Sequence, residues 1–275
     1  MSASEDLAEA EAPESPSAPV LPTLRLADDN GTDADHSGSD PGPPGGQLAT
    51  PTGVITRVDR PSVLGIGGYW TSAELVDACG ATLRWLRRNG HTGSIAVTST
   101  VRGEGRTTIA SGMAVAESYA HGRPVILVEL DLERRSFAQR FGLDQMPGVA
   151  EILRGEASIG ECLQSPGDGS IALITAGDTQ GHPSELLVRL RASTLLADLE
   201  RVGAQVIADL PPLAPVGQAA SLANLMGSVL LVVRAGGVPA PRIRRAIDAL
   251  DTPPSVFLNC AHSSIPRPLR ALLGG

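Results

Sequence analysis

The chain has 275 residues, 42% of them hydrophobic and 3% aromatic, enough for one large α/β core or two small domains packed mostly from Ala, Leu, Val and Ile. Its formal charge of −8 sits in the first 60 residues, which hold eleven acids and three arginines; the remainder is balanced, so no net basic surface points to nucleic acid. No apolar run reaches the roughly 18 residues of a membrane span and no basic-then-apolar leader opens the chain, so a cytoplasmic protein is expected.

In chain order, residues 1–65 are rich in Pro, Ser, Gly, Asp and Glu. A stretch such as SGSDPGPPGG cannot bury enough surface to offset its ordering entropy, so this span is expected to be a disordered acidic tail, with the folded domain at 66–275. Thr71 and Glu74 have capping-box spacing, and Leu75, Cys79, Leu83 and Leu86 make an apolar stripe, predicting a helix that Gly90 stops. SIAVT at Ser94–Thr98 reads as a strand, followed by a helix over Thr107–Ala120 that closes at Gly122. VILVE at Val125–Glu129 is a second strand, Gly148–Leu153 a short helix, IALIT at Ile171–Thr175 a third strand, and Ser184–Leu199 a helix. Strands at Val206–Asp209, Val229–Val233 and Val256–Asn259, with helices at Gln218–Met226 and Pro241–Leu250, complete the set. Continuous apolar strands alternating with helices predict an α/β fold, a mostly parallel sheet covered by helices on both faces. In such sheets ligands bind beyond the carboxyl ends of the strands.

Chemistry is therefore sought first in TSTVRGEGRTTIA, Thr98–Ala110, which follows the first of these strands and opens a helix. Gly103 and Gly105 allow backbone N–H groups to turn inward around an anion, and the helix N-terminus adds partial positive charge. Thr107 stands where a hydroxyl would ligate Mg²⁺. The pattern G-x-x-x-x-G-K-[ST] fails twice, with Thr100 at the first glycine and Arg106 at the lysine. Every Lys/Arg position of this chain is Arg, so a biased codon usage alone can account for the change.

Other candidates are bland. Cys79, Cys162 and Cys260 make neither a C-x-x-C pair nor a metal spacing and read as reduced thiols. His91, His121 and His182 fall in separate loops, and Arg242, Arg244 and Arg245 read as a solvated helix face.

Four segments together resemble the P-loop ATPases related to partition and septum-site proteins and to bacterial tyrosine kinases. Besides the glycine loop, VELDLERR resembles their D-x-D-x-R segment, with Glu129 for the first Asp, Asp131 for the second and Glu133 in place of Arg; ADLPPLAPV resembles D-[ST]-P-P; and VFLN ends in Asn259. PGVAEILRGEASIGECL (Pro147–Leu163), AGDTQGHPSELL and LLVVRAGGV bring the resemblance closest to the capsule-type tyrosine kinases. It implies a P-loop NTPase fold that binds ATP and Mg²⁺. Gly103, Glu104, Gly105, Arg106, Thr107 and Thr108 would then hold phosphate, and Asn259 would read the adenine edge. Thr107, Asp131 and Asp209 would hold the metal. Asp131, which would orient the acceptor, and Arg106, on the phosphates, would be the catalytic pair.

Three departures bear on activity. Arg106 keeps the lysine's charge, but on a larger planar fork. The resembled kinases phosphorylate a C-terminal tyrosine cluster, whereas Tyr69 and Tyr119 are the two tyrosines here and SSIPRPLRALLGG has none. Their rings use E-x-x-R-x-x-R, for which ATLRWLR offers Ala81, Arg84 and Arg87. Arg102, beside Val101 at the partition-type signature-lysine place, is a candidate extra phosphate contact. The resemblance thus implies a kinase-like P-loop protein of capsule or exopolysaccharide biosynthesis or its regulation. A membrane-bound chain-length or activator partner would recruit it to the inner membrane face, and homo-oligomers are open. A non-catalytic pseudo-kinase that works by binding a partner and a partition-type positioning ATPase are the alternatives, so enzymatic status stays open.

Overall fold

A computed structural model describes residues 63–66, 69–166, 170–214 and 218–261. The expected acidic tail lies, through residue 62, outside the described residues. The first element, β1 (Val63–Ile66), pairs antiparallel with β2 (Tyr69–Ser72), a hairpin that the sequence pattern does not announce. Helix α1 (Ala73–Arg88) follows directly, and its cap is Ser72 rather than Thr71: the Ser72 hydroxyl accepts from the Leu75 N–H at 3.3 Å.

The main chain then alternates strand and helix through β3 (Ile95–Ser99), α2 (Arg106–His121), β4 (Val125–Glu129), α3 (Phe137–Phe141), α4 (Val149–Arg154), α5 (Ile159–Cys162) and β5 (Ile171–Ile174). It continues through α6 (Pro183–Ala192), α7 (Leu195–Arg201), β6 (Gln205–Asp209), α8 (Gln218–Ala223), β7 (Ser228–Arg234), α9 (Ala240–Ile247) and β8 (Ser255–Asn259). The long helix expected over Ser184–Leu199 is two helices. At the break, Ser193 is extended and its hydroxyl donates to the Leu190 carbonyl, an alternative to the helical ladder that serine readily offers.

β3 to β8 form one six-stranded parallel sheet in the order β5-β4-β6-β3-β7-β8. Alternate residues of its central strands feed two separate cores, as the two-residue side-chain period requires. Val97, Leu127, Ile207 and Leu230 pack against α1 and α2, together with Ile109, Met113 and the edge-to-face pair Phe137–Phe141. Ala96, Ile126, Val206 and Leu231 face the opposite core, with Leu186, Leu190, Leu199 and Leu222 from α6, α7 and α8. The edge strand β8 departs from the fully buried pattern: Val256 and Leu258 are more than half exposed. Strands are added on one side of β3 (β4, β5 and β6) and then on the other (β7 and β8), so the ends of β3 and β6 frame the crevice where such folds bind ligands. Among the described residues, no helix is long and apolar enough to cross a membrane.

Candidate functional site

The loop between β3 and α2 is a phosphate-loop turn. Gly103 (φ 85°) and Gly105 (φ 91°) are both left-handed, a region that L side chains rarely adopt, and Gly105 is the N-cap of α2. No side chain caps α2, so its first-turn N–H groups and the positive end of its dipole serve the hollow of the loop. The Glu104 side chain does not. It is 2% exposed and turned into the wall, where its carboxylate accepts the Val101 N–H at 2.8 Å and the Arg234 N–H, at the end of β7, at 3.0 Å. Glu104 therefore lends the loop its main chain and staples it to β7.

Asn259 closes the same wall from β8. Its amide nitrogen donates to the Glu104 carbonyl at 2.8 Å, and its side-chain oxygen accepts the Cys260 N–H. The other side of the loop is tied to the segment after β6: Thr98 donates its hydroxyl to the Pro211 carbonyl, and the N–H groups of Leu213 and Ala214 donate to the Ser99 and Thr100 carbonyls.

Asp209 ends β6, in register with Glu129 at the end of β4, and Asp131 follows two residues after β4; each is 1% exposed. The Arg106 guanidinium spans them, with Nε 2.8 Å from Asp209 Oδ1 and Nη2 2.5 Å from Asp131 Oδ2. The Thr107 hydroxyl donates to Asp209 Oδ2 at 2.6 Å. Burial raises the Asp209 carboxyl above its ordinary range, while Arg106 and Thr107 pull it back. Two carboxylates and a hydroxyl form an all-oxygen donor set, the kind a hard divalent cation takes.

A cleft of about 290 Å³ opens over the loop, and besides the loop it is lined by Arg102, Arg134, Ser136 and Arg140. Arg102 also pairs with Glu133 at 2.6 Å and lies 3.7 Å from Asp131. A second cleft, of about 280 Å³, begins at Asp131 and Arg102 and runs past Ser184 and Pro212. The structure thus brings together Gly103, Gly105, Arg106, Thr107, Thr108, Asp131 and Asp209, with Asn259 against the loop from behind. Sequence reasoning did not single out Arg134 and Arg140; ERR beside Asp131, and a basic residue on the short helix after it, were the available signals.

Glu129, two residues before Asp131, stays out of the cleft. Its carboxylate takes N–H groups from Ser136, Phe137 and Ala176. Burial nevertheless pushes it up to about 7. The kinase-like connecting segment works similarly as a clasp: Glu151 accepts the N–H groups of Gly148 and Asp178 and pairs with Arg154 at 2.9 Å, docking α4 on the loop after β5. Arg87, which the ring motif E-x-x-R-x-x-R would place at a subunit contact, forms an ion pair with buried Glu117 of α2. His182 precedes α6 without capping it through its side chain. Among the described residues no group of three or more His, Cys, Asp or Glu forms a metal cluster.

No family model matches the chain. The tyrosine-protein kinase YwqD of Bacillus subtilis (strain 168) is 28% identical over 165 residues, 60% of this chain and 69% of its own length. The tyrosine-protein kinase Etk of Escherichia coli (strain K12) is 27% identical over 181 residues, which is 66% of this chain but 25% of Etk. The solved kinase domain of VpsO is 30% identical with a TM-score of 0.60, and the match covers 69% of this chain and 95% of that domain.

Proposed function

This chain belongs to the bacterial tyrosine-kinase family of P-loop proteins, and from that premise we propose that it binds ATP with Mg²⁺ at the carboxyl end of its parallel sheet and acts in capsule or exopolysaccharide biosynthesis or its regulation. The observation that carries this reading is the convergence on one crevice of the left-handed glycine loop, the start of α2, and the Thr107, Asp131 and Asp209 oxygens. The triphosphate lies in the hollow between Gly103 and Thr108, with Arg102, Arg134 and Arg140 balancing its charge from the rim. Thr107, Asp131 and Asp209 would hold Mg²⁺, which would supply charge neutralisation for phosphoryl transfer; Asp131, at the mouth of the second cleft, would orient an acceptor hydroxyl. A membrane-bound partner supplies the link to polysaccharide export.

A second reading, a non-catalytic regulator that keeps nucleotide and acts by binding a partner, is favoured by one observation. Both carboxylates needed for metal are held by Arg106. Calorimetry with Mg²⁺–ATP tests the binding that both readings share, and no heat at millimolar nucleotide would end both. Release of phosphate from labelled ATP separates them: turnover above background, raised by Arg106→Lys, supports the enzyme, and tight binding with no turnover in either form supports the regulator.

A further inference from the structure

We propose that Arg106 is a built-in competitor for the divalent cation: its guanidinium and a metal ion claim the same two carboxylates, Asp131 and Asp209, so a cation enters only by displacing the arginine. For the role of nucleotide this rests on the ATP-binding reading; for the competition itself it rests on the side chains alone.

The guanidinium uses two separate donors. Nε reaches Asp209 Oδ1 at 2.8 Å and Nη2 reaches Asp131 Oδ2 at 2.5 Å, so one rigid planar ion spans both acids. A lysine ammonium at the same place radiates its donors from a single atom and has no such fork. The other two carboxylate oxygens are engaged as well: Asp131 Oδ1 accepts the Arg134 N–H at 3.2 Å, and Asp209 Oδ2 accepts the Thr107 hydroxyl at 2.6 Å. The two acids are 1% exposed and the arginine 12% exposed, so the arginine itself fills the approach to them. The Arg102 guanidinium, 3.7 Å from Asp131, adds a second positive charge that repels an incoming dication. Mg²⁺ and Mn²⁺ need near-octahedral room for several oxygens and retained waters, and between these carboxylates that room is taken by carbon and nitrogen.

The test uses Mn²⁺ as probe on the full chain, without nucleotide, followed by electron paramagnetic resonance of free Mn²⁺. Arg106→Ala is expected to bind one Mn²⁺ at least about tenfold more tightly than the unaltered chain, within the range by which neighbouring groups tune metal affinity, and Arg106→Ala with Asp209→Asn is expected to lose that gain. Arg106→Lys keeps a positive charge beside the acids and guards against misfolding; it is expected to gain Mn²⁺ affinity in the same direction but less. Equal Mn²⁺ affinity in the unaltered chain and both single variants, or a gain that survives Asp209→Asn, overturns the proposal. A second arm measures ATP affinity in Mg²⁺ and in chelator. A gain with Mg²⁺ is expected in both, larger by at least about tenfold in Arg106→Lys than in the unaltered chain; a gain as large in the unaltered chain counts against the competition. Failure to bind ATP at all, with the Mn²⁺ pattern intact, sinks the nucleotide reading and leaves the competition standing.

Discussion

Asn259 donates its side-chain amide to the Glu104 carbonyl across Gly105, and a Cβ at Gly105 would lie 2.3 Å from that amide nitrogen. Gly105 also sits at φ 91°, where an alanine is strained even in open space. Gly105→Ala is therefore expected to destabilise the fold by roughly 1–2 kcal/mol from the left-handed backbone alone, with the clash added. Urea denaturation measures the loss. Adding Asn259→Ala should return the clash portion and leave the backbone portion; a double variant no more stable than the single would show that Asn259 is not what limits the space.

Arg106→Ala leaves two almost fully buried carboxylates without their shared cation. Removing one member of a buried ion pair costs about 3–5 kcal/mol, so this variant should have a much lower urea midpoint. Arg106→Lys should lose less, because charge is kept and only the fork is lost. If Arg106→Ala were as stable as the unaltered chain, the guanidinium would not be holding the acids together.

The Glu104 carboxylate is a staple, accepting the buried N–H groups of Val101 and Arg234, while its main chain stays part of the loop. Glu104→Ala leaves both donors without that acceptor, at about 1–3 kcal/mol for a buried unsatisfied group. Since the loop is then untied from β7, ATP affinity should fall along with stability. Glu104→Gln, which keeps an acceptor oxygen, should recover part of both.

The strands were legible because a parallel sheet covered on both faces makes each central strand a short apolar run, as in IAVTS and VILVE. The loop and the two aspartates were legible because each sits just past such a run. What escaped depends on contacts between distant segments. The α3 helix is short and carries only Phe137 and Phe141 as anchors, too few for a periodic signal. The break at Ser193 turns on one hydroxyl. The reach of the Arg106 side chain to both acids follows from where β4 and β6 end in space, and spacing within TSTVRGEGRTTIA holds no record of that.

The thiols differ in burial, and so should their reactivity. Cys79 is buried against α2, and burial pushes its thiol up to about 12; Cys162 is pushed up to about 11, chiefly by burial. Cys260, at the end of β8, is exposed. The thiolate is the reacting form, so a disulfide reagent at pH 8 should label Cys260 at once in the native protein and reach Cys79 and Cys162 only on denaturation. Rapid native labelling of Cys79, read by peptide mass, would contradict the packing of α1 on α2.

Glu129 gives the stability a pH dependence of definite sign. Its carboxyl, ordinarily near 4.5, is pushed up to about 7, first by burial and further by neighbouring Asp209, against the opposing N–H donors of Ser136, Ala176 and Phe137. The folded chain therefore holds this proton at pH values where the unfolded chain has released it. Wherever the folded state binds more protons, stability falls as pH rises. The contribution is complete below about pH 4.5, is lost progressively up to about pH 7, and is flat above that. For every pH unit that separates the folded from the unfolded value, the loss is about 1.4 kcal/mol. The Asp209 carboxyl is raised too, so the difference between the unaltered chain and Glu129→Gln isolates this group. That difference in unfolding free energy, measured in urea from pH 4.5 to pH 8, should change steadily to the disadvantage of the unaltered chain and then level off. A difference that stays constant across the range would mean that Glu129 is ionised throughout, its N–H donors outweighing its burial.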